Sequence, residues 1–144
     1  MAHNLNKQGD RYAFASAKEK AWHGLGTILP ERMDSATAIR EALLNYTVDK
    51  TPVKIQLPGS DKLIEVPGKF VTYRTDTGVP FGVVGSRYEI VQNLDAFRFF
   101  DAIVGEGAAI FETAGALHNG EIVFITAKLP DYIRVGKDDL IEQY

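Results

Sequence analysis

The sequence predicts an α+β fold: an extended N-terminal arm, a helix, a three-stranded antiparallel meander, a second helix and a β-hairpin. Three observations lead there. Two segments repeat apolar residues at the spacing of one helical face. Five others are rich in β-branched and aromatic residues and are separated by turn signals. A chain of 144 residues, 45% hydrophobic and 24% charged, is also long and apolar enough to bury one sizeable core.

Residues 1–33 show neither period, yet Leu5, Tyr12, Phe14, Trp22, Leu25, Ile28 and Leu29 make them too apolar for a free tail. This arm is expected to pack on the body of the chain or on a partner. Ser35, with Asp34 as its competitor, caps a first helix over 35–46, where Ile39, Ala42, Leu43 and Tyr46 line one face. Strands are predicted over Thr47–Leu57, Lys62–Arg74 and Val79–Val91, joined by a Pro58-Gly59 turn and by Thr75-Asp76-Thr77-Gly78. In the second strand Phe70, Thr72 and Arg74 share one face, and Val71 and Tyr73 the other. Pro67-Gly68, and Gly82 with Gly85, are expected to bend their strands. Asn93 is placed to cap a second helix whose stripe is Leu94, Phe97, Phe100 and Val104, stopped by Gly105 and Gly107. A hairpin then runs from Ala108–Leu117 to Glu121–Leu129 across His118-Asn119-Gly120, closed by Pro130. Residues 34–144 therefore read as a single domain, and Leu140–Tyr144 as the opening of a further element, so that the chain is expected to continue past Tyr144.

Composition narrows the chemistry. Without cysteine there is no disulfide, thiolate metal site or thiol nucleophile. The first residues lack the apolar core of a signal peptide and no apolar run reaches the length of a membrane helix, so the expected setting is the cytoplasm, with no membrane partner. A net charge of -3 conceals an asymmetry: residues 1–74 carry 11 Lys and Arg against 8 Asp and Glu, residues 75–144 carry 5 against 11.

No motif for catalysis, metal or cofactor emerges. His3, His23 and His118 share no metal-ligand spacing. Gly105-Glu106-Gly107 follows a helix, the wrong side for a phosphate loop, and the serine of Gly85-Ser86-Arg87 has no evident base. Glu112 and Glu121 flank the second hairpin without a spacing that pairs them. Two constellations remain. Lys54, Lys69, Tyr73, Arg74, Arg87 and Tyr88 put cations and aromatic rings on the meander, the combination that holds single-stranded nucleic acid through phosphate neutralisation and base stacking. Trp22, His23 and Leu25, beside Gly24 and Gly26, make the arm a candidate contact for a ring, for a second copy of the chain or for a host protein.

Met1-Ala2-His3-Asn4, Ala21-Trp22-His23-Gly24-Leu25-Gly26-Thr27, Arg74-Thr75-Asp76-Thr77-Gly78, Gly82-Val83-Val84-Gly85 and Tyr88 through Val91-Gln92-Asn93 together resemble the phage/plasmid-like protein family, a domain of unknown function named for its Leu-Gly-Thr. Glu112-Thr113-Ala114-Gly115 and Ala127-Lys128-Leu129-Pro130 extend the resemblance to about residue 130. Ala21 stands where the commonest pattern has proline. The resemblance implies longer chains and a mobile-element setting, and it brings no catalytic residues. The order helix, meander, helix is also similar to the core of Rad52-type annealing proteins. Three functions are thus expected in turn: a single-stranded nucleic-acid-binding accessory, a protein-interaction or host-directed inhibitor module without catalysis, and an enzyme on a small molecule or nucleotide.

Overall fold

The computed structural model describes residues 4–30, 33–104, 110–128, 132–135 and 139–142. Along the chain these form β1 (Lys7–Gln8), β2 (Arg11–Tyr12), β3 (Phe14–Ala17), β4 (Thr27–Leu29), α1 (Ser35–Glu41), β5 (Val48–Gln56), β6 (Leu63–Arg74) and β7 (Pro80–Gly85). There follow α2 (Asn93–Val104), β8 (Ile110–Leu117), β9 (Ile122–Lys128), β10 (Tyr132–Val135) and β11 (Asp139–Glu142). The α+β class is as expected. The chain divides into two units, Met1–Asn45 with Asn93–Tyr144, and Tyr46–Gln92. The meander makes up the second of these units.

In the first unit, the expected arm is woven into a sheet of order β4-β3-β8-β9, in which β3 runs parallel to β4 and antiparallel to β8. Its strands escaped the sequence reading because β1, β2 and β4 are too short to alternate. Strand β3, flanked on both sides, is buried through Ala13, Phe14, Ala15 and Ser16. The chain approaches β3 so closely that two neighbours must be glycine. A Cβ on Gly26, whose φ is +88°, would collide with the carbonyl and ring of Phe14. One on Gly115 would lie 2.8 Å from the Ala13 carbonyl oxygen and 2.7 Å from the Phe124 ring.

Helix α1 is capped by Asp34, whose carboxylate accepts the Thr37 N–H at 2.7 Å; Ser35 is the first helical residue. The helix stops at Glu41, short of the expected residue 46, because Leu43 turns left-handed (φ +57°). The Leu43 N–H then returns to the Arg40 carbonyl and the Leu44 N–H to the Ile39 carbonyl, a Schellman stop without its usual glycine. In α2, Phe97 is fully buried and its ring lies 6.2 Å from that of Phe111. Leu94, expected in the buried stripe, is 44% exposed. Asn93 is the first residue of α2, and its amide donates to the Leu44 carbonyl at 3.0 Å. Gly105, Gly107 and Pro130 lie outside the described residues. The tail expected to open a further element pairs within the chain, β11 with β10.

The second unit is the predicted meander, β5-β6-β7, with the predicted alternation along β6. Pro58 and Gly59 (φ +76°), bridged by the Ser60 N–H to the Leu57 carbonyl, make the type II turn that this pair favours. The expected bend at Pro67-Gly68 is a wide irregularity, where Val53 alone stands opposite Val66, Pro67, Gly68 and Lys69. Beyond it the sheet narrows to a two-stranded ribbon, Lys54–Gln56 on Leu63–Glu65. Strand β7 ends at Gly85, six residues before its expected limit, since the Tyr88 N–H turns back to the Gly85 carbonyl. Pro52 and Pro80 sit in the two outer strands, where they blunt edge pairing.

The buried residues of this unit are Tyr46, Thr72 and Arg74. Arg74 is 2% exposed; its Nε and Nη2 donate to the two carboxylate oxygens of Asp76 at 2.6 and 2.9 Å, and its guanidinium lies 3.8 Å from the Tyr46 ring centroid. A cation, a carboxylate and a ring thus take the place of an aliphatic centre. Gln92 closes the unit by pairing with both the N–H and the carbonyl of Val48.

Steric approach at Gly26 predicts a larger cost than conformation alone. Gly26→Ala is expected to destabilise by about 2–3 kcal/mol or more, combining a forbidden φ with the clash against Phe14. Gly59→Ala, with the same sign of φ but open space around it, should cost about 1 kcal/mol, and denaturant titration of both variants checks the difference.

The Arg74 hydrogen bonds hold the Asp76 carboxyl below its ordinary pKa. Because the folded value is depressed, this carboxylate stabilises the unit fully above the unfolded pKa of about 3.9, and the contribution disappears as pH falls through the folded value. Hydrogen exchange of the β6 amides should therefore lose protection on acidification more steeply in the wild type than in Asp76→Asn.

Candidate ligand site at the Trp22 turn

The parallel pairing of β3 with β4 dictates the site. Parallel neighbours need a chain that leaves the sheet and returns to the same end, usually through a helix of a dozen or more residues. Here residues 18–26 suffice, because three of them take left-handed backbone: Lys18 (φ +65°), Gly24 (+67°) and Gly26 (+88°). At Lys18 the Glu19 N–H donates to the Ala17 carbonyl at 2.8 Å, a γ-turn of the strained hand on a non-glycine residue. At the apex the Gly24 N–H closes on the Ala21 carbonyl at 2.8 Å.

This geometry holds Trp22 outward. Its side chain belongs to a residue 84% exposed, the most exposed large apolar residue among those described, and it is the one tryptophan of the chain. The next ring is fixed from two sides: His23 accepts the Leu25 N–H on Nδ1 at 3.1 Å and stands edge-on to Phe14 with centroids 4.8 Å apart. Trp22 meets His23 at 5.6 Å with planes 65° apart, an edge contact. The Lys20 side chain crosses the turn, its Cε 2.8 Å from where a Cβ of Gly24 would be. Leu25 is half-buried.

Beside the turn lies a groove of about 440 Å³. Lys18, Glu19 and Lys20 line it from the loop, and Glu112, Thr113 and Lys128 from β8 and β9. Two successive residues of β8 face the same groove because the β8–β9 register shifts between Phe111 and Thr113, leaving Glu112 as the extra residue of a bulge. Such a bulge re-aims a side chain, and no spacing in the sequence announced it. Three ammonium groups against two carboxylates leave the lining with a small positive excess.

The meander set does not come together in the same way. Lys69 and Tyr73 share a face of β6, while Arg74 points to the opposite one and is committed to Asp76 and Tyr46. That removes it from any exposed contact, which corrects its expected role. Lys54 is paired in register with Glu65 on the ribbon, and Arg87 and Tyr88 follow the end of β7. Residues 46–92 carry six Lys and Arg against five Asp and Glu, so the unit holds little net charge. Among the described residues no group of three His, Asp or Glu side chains could hold a metal ion. Nor is any described helix long and apolar enough to cross a membrane.

The structure predicts a distinctive signal from Trp22. Its emission should resemble that of indole in water and be strongly quenched by iodide, yet its anisotropy should decay with the whole unit. His23→Ala, which removes both the Leu25 hydrogen bond and the ring contacts, should add a fast local component to that decay.

Residues 80–144 match the family model described as Domain of unknown function (DUF932). The match takes in β7 through β11, and with them the Glu112, Thr113 and Lys128 side of the groove; Lys18, Lys20 and Trp22 lie outside it. No curated protein matches the chain. No solved structure matches it either, so the likeness to the Rad52-type core is unsupported, and α1 packs on β3 and β8 of its own unit. The last part of the chain therefore matches a domain of unknown function.

Proposed function

We propose that this chain is a non-catalytic accessory protein of a mobile element that holds single-stranded nucleic acid, and that its contact is the Trp22 turn and not the meander. The observation that carries this reading is the indole held 84% exposed on a backbone locked by glycines and by His23. Leaving such a side chain in water forgoes about 2–3 kcal/mol of apolar burial. An exposed indole can stack on any base, and lysines of the same loop supply the cations that a strand requires. Confinement of the indole to the apex of a tight turn favours a flexible single strand over a duplex, whose bases are already stacked.

A second reading has its own observation. The β5–β6 ribbon exposes Ile55, Leu57, Leu63 and Ile64, with Ile55 directly opposite Ile64, which favours a protein partner on that unit.

Anisotropy of labelled single-stranded and duplex DNA, with Trp22 emission followed in the same titration, separates the two. The expected result is salt-sensitive preference for the single strand, quenching of Trp22, and a loss of about tenfold or more in affinity for Trp22→Ala. Equal affinity in Trp22→Ala would sink the proposed contact. Absence of DNA binding in the wild type would leave the ribbon reading, for which Ile64→Lys should abolish self-association or partner capture.

A further inference from the structure

The groove beside Trp22 carries more chemistry than a stacking contact uses. Its three lysines come from two separate parts of the chain: Lys18 and Lys20 from the crossover loop, Lys128 from the last residue of β9. Its two carboxylates likewise come from both walls, Glu19 and Glu112. A purely anionic ligand, such as inorganic phosphate, would use the ammonium groups and be repelled by the carboxylates. A ligand that combines a phosphate with hydrogen-bond donors uses both, since carboxylates accept from sugar hydroxyls or exocyclic amines. The volume of about 440 Å³ lies in the lower part of the range of small-molecule sites and suits one such ligand. Ala21 lines the groove and is followed directly by the exposed Trp22, which puts an aromatic ring next in the chain to the lining.

We propose that this groove is a nucleoside-phosphate subsite that seats one nucleotide, with its phosphate on Lys18, Lys20 and Lys128, its donors toward Glu112, and its base against Trp22. The subsite rests on the stacking reading above and adds the path of the phosphate. Two sources share this chemistry, a free nucleotide and a nucleotide within a strand. The γ-turn at Lys18 and the bulge at Glu112 have a common consequence here: each lies where a charged residue joins the lining of the groove.

The test follows Trp22 emission and melting temperature of the 144-residue chain during titration with inorganic phosphate, a nucleoside monophosphate and a short single-stranded oligonucleotide, at two salt concentrations. The nucleoside phosphate or the oligonucleotide should quench Trp22 and raise the melting temperature, with inorganic phosphate well behind. Binding by both identifies a free-nucleotide site, and binding by the oligonucleotide alone a site for a strand. The double variant Lys18→Gln/Lys128→Gln, folded by circular dichroism, should lose about tenfold or more in affinity and reduce the salt slope by about one to two. Glu112→Gln should weaken the nucleotide while leaving the weak response to inorganic phosphate unchanged or stronger. If wild-type quenching persists while the lysine variant keeps both affinity and salt slope, the stacking contact stands and the subsite is overturned. If no ligand quenches Trp22 or shifts melting, both fall together.

Discussion

Close approach around β3 is the constraint on which the first unit depends. Phe14 and Ala13 present backbone oxygens to chain segments on either side, and only glycine fits opposite them, Gly26 on the β4 side and Gly115 on β8. With no side chain between them, β3 and β8 share one buried centre of alanine, Ser16, Phe14 and Phe111. The same closeness makes the β3–β4 crossover short. A short crossover has no room for a helix to cover its own apolar residue, so Trp22 is left in water. The exposed indole is thus a consequence of how the sheet closes, and it becomes available for use.

The second unit rests on a different principle. Its centre is a guanidinium stacked on a ring and clasped by a carboxylate, an arrangement that works only because every donor aimed inward has an acceptor. Arg74 therefore contributes to stability, and its charge is spent within the fold. Apolar side chains that a larger core would have taken in remain at the ribbon, paired across strands at Ile55 and Ile64 but exposed. A sheet with little net charge and an apolar end is poorly matched to a polyanion, which is why the nucleic-acid reading moves to the first unit.

Electrostatics and backbone geometry meet in the groove. Two local irregularities, the left-handed Lys18 and the bulged Glu112, both lie along its lining. The groove joins a part of the chain that matches a domain of unknown function to one that lies outside the match. Residues 16–21 complete its lining from outside the match.

The sequence by itself determined the elements whose causes are local. The start of α1 after Asp34, the Pro58-Gly59 turn, the alternation from Phe70 to Arg74 and the Asn119-Gly120 hairpin all follow from side-chain spacing or backbone preference, and all are present. The prominence of Trp22 and His23 was legible too, since an indole and an imidazole just before Gly24 and Gly26 stand out in any reading. Tertiary structure alone decided the rest, because each remaining feature depends on residues far apart in the chain. The N-terminal arm became strands through β8, which lies about a hundred residues later. Arg74 changed from a candidate contact to a buried clasp because Tyr46 and Asp76 meet it there. Lys18, Glu112 and Lys128 became neighbours only when β3, β8 and β9 paired in register, and pairing between distant segments is information that no local pattern holds.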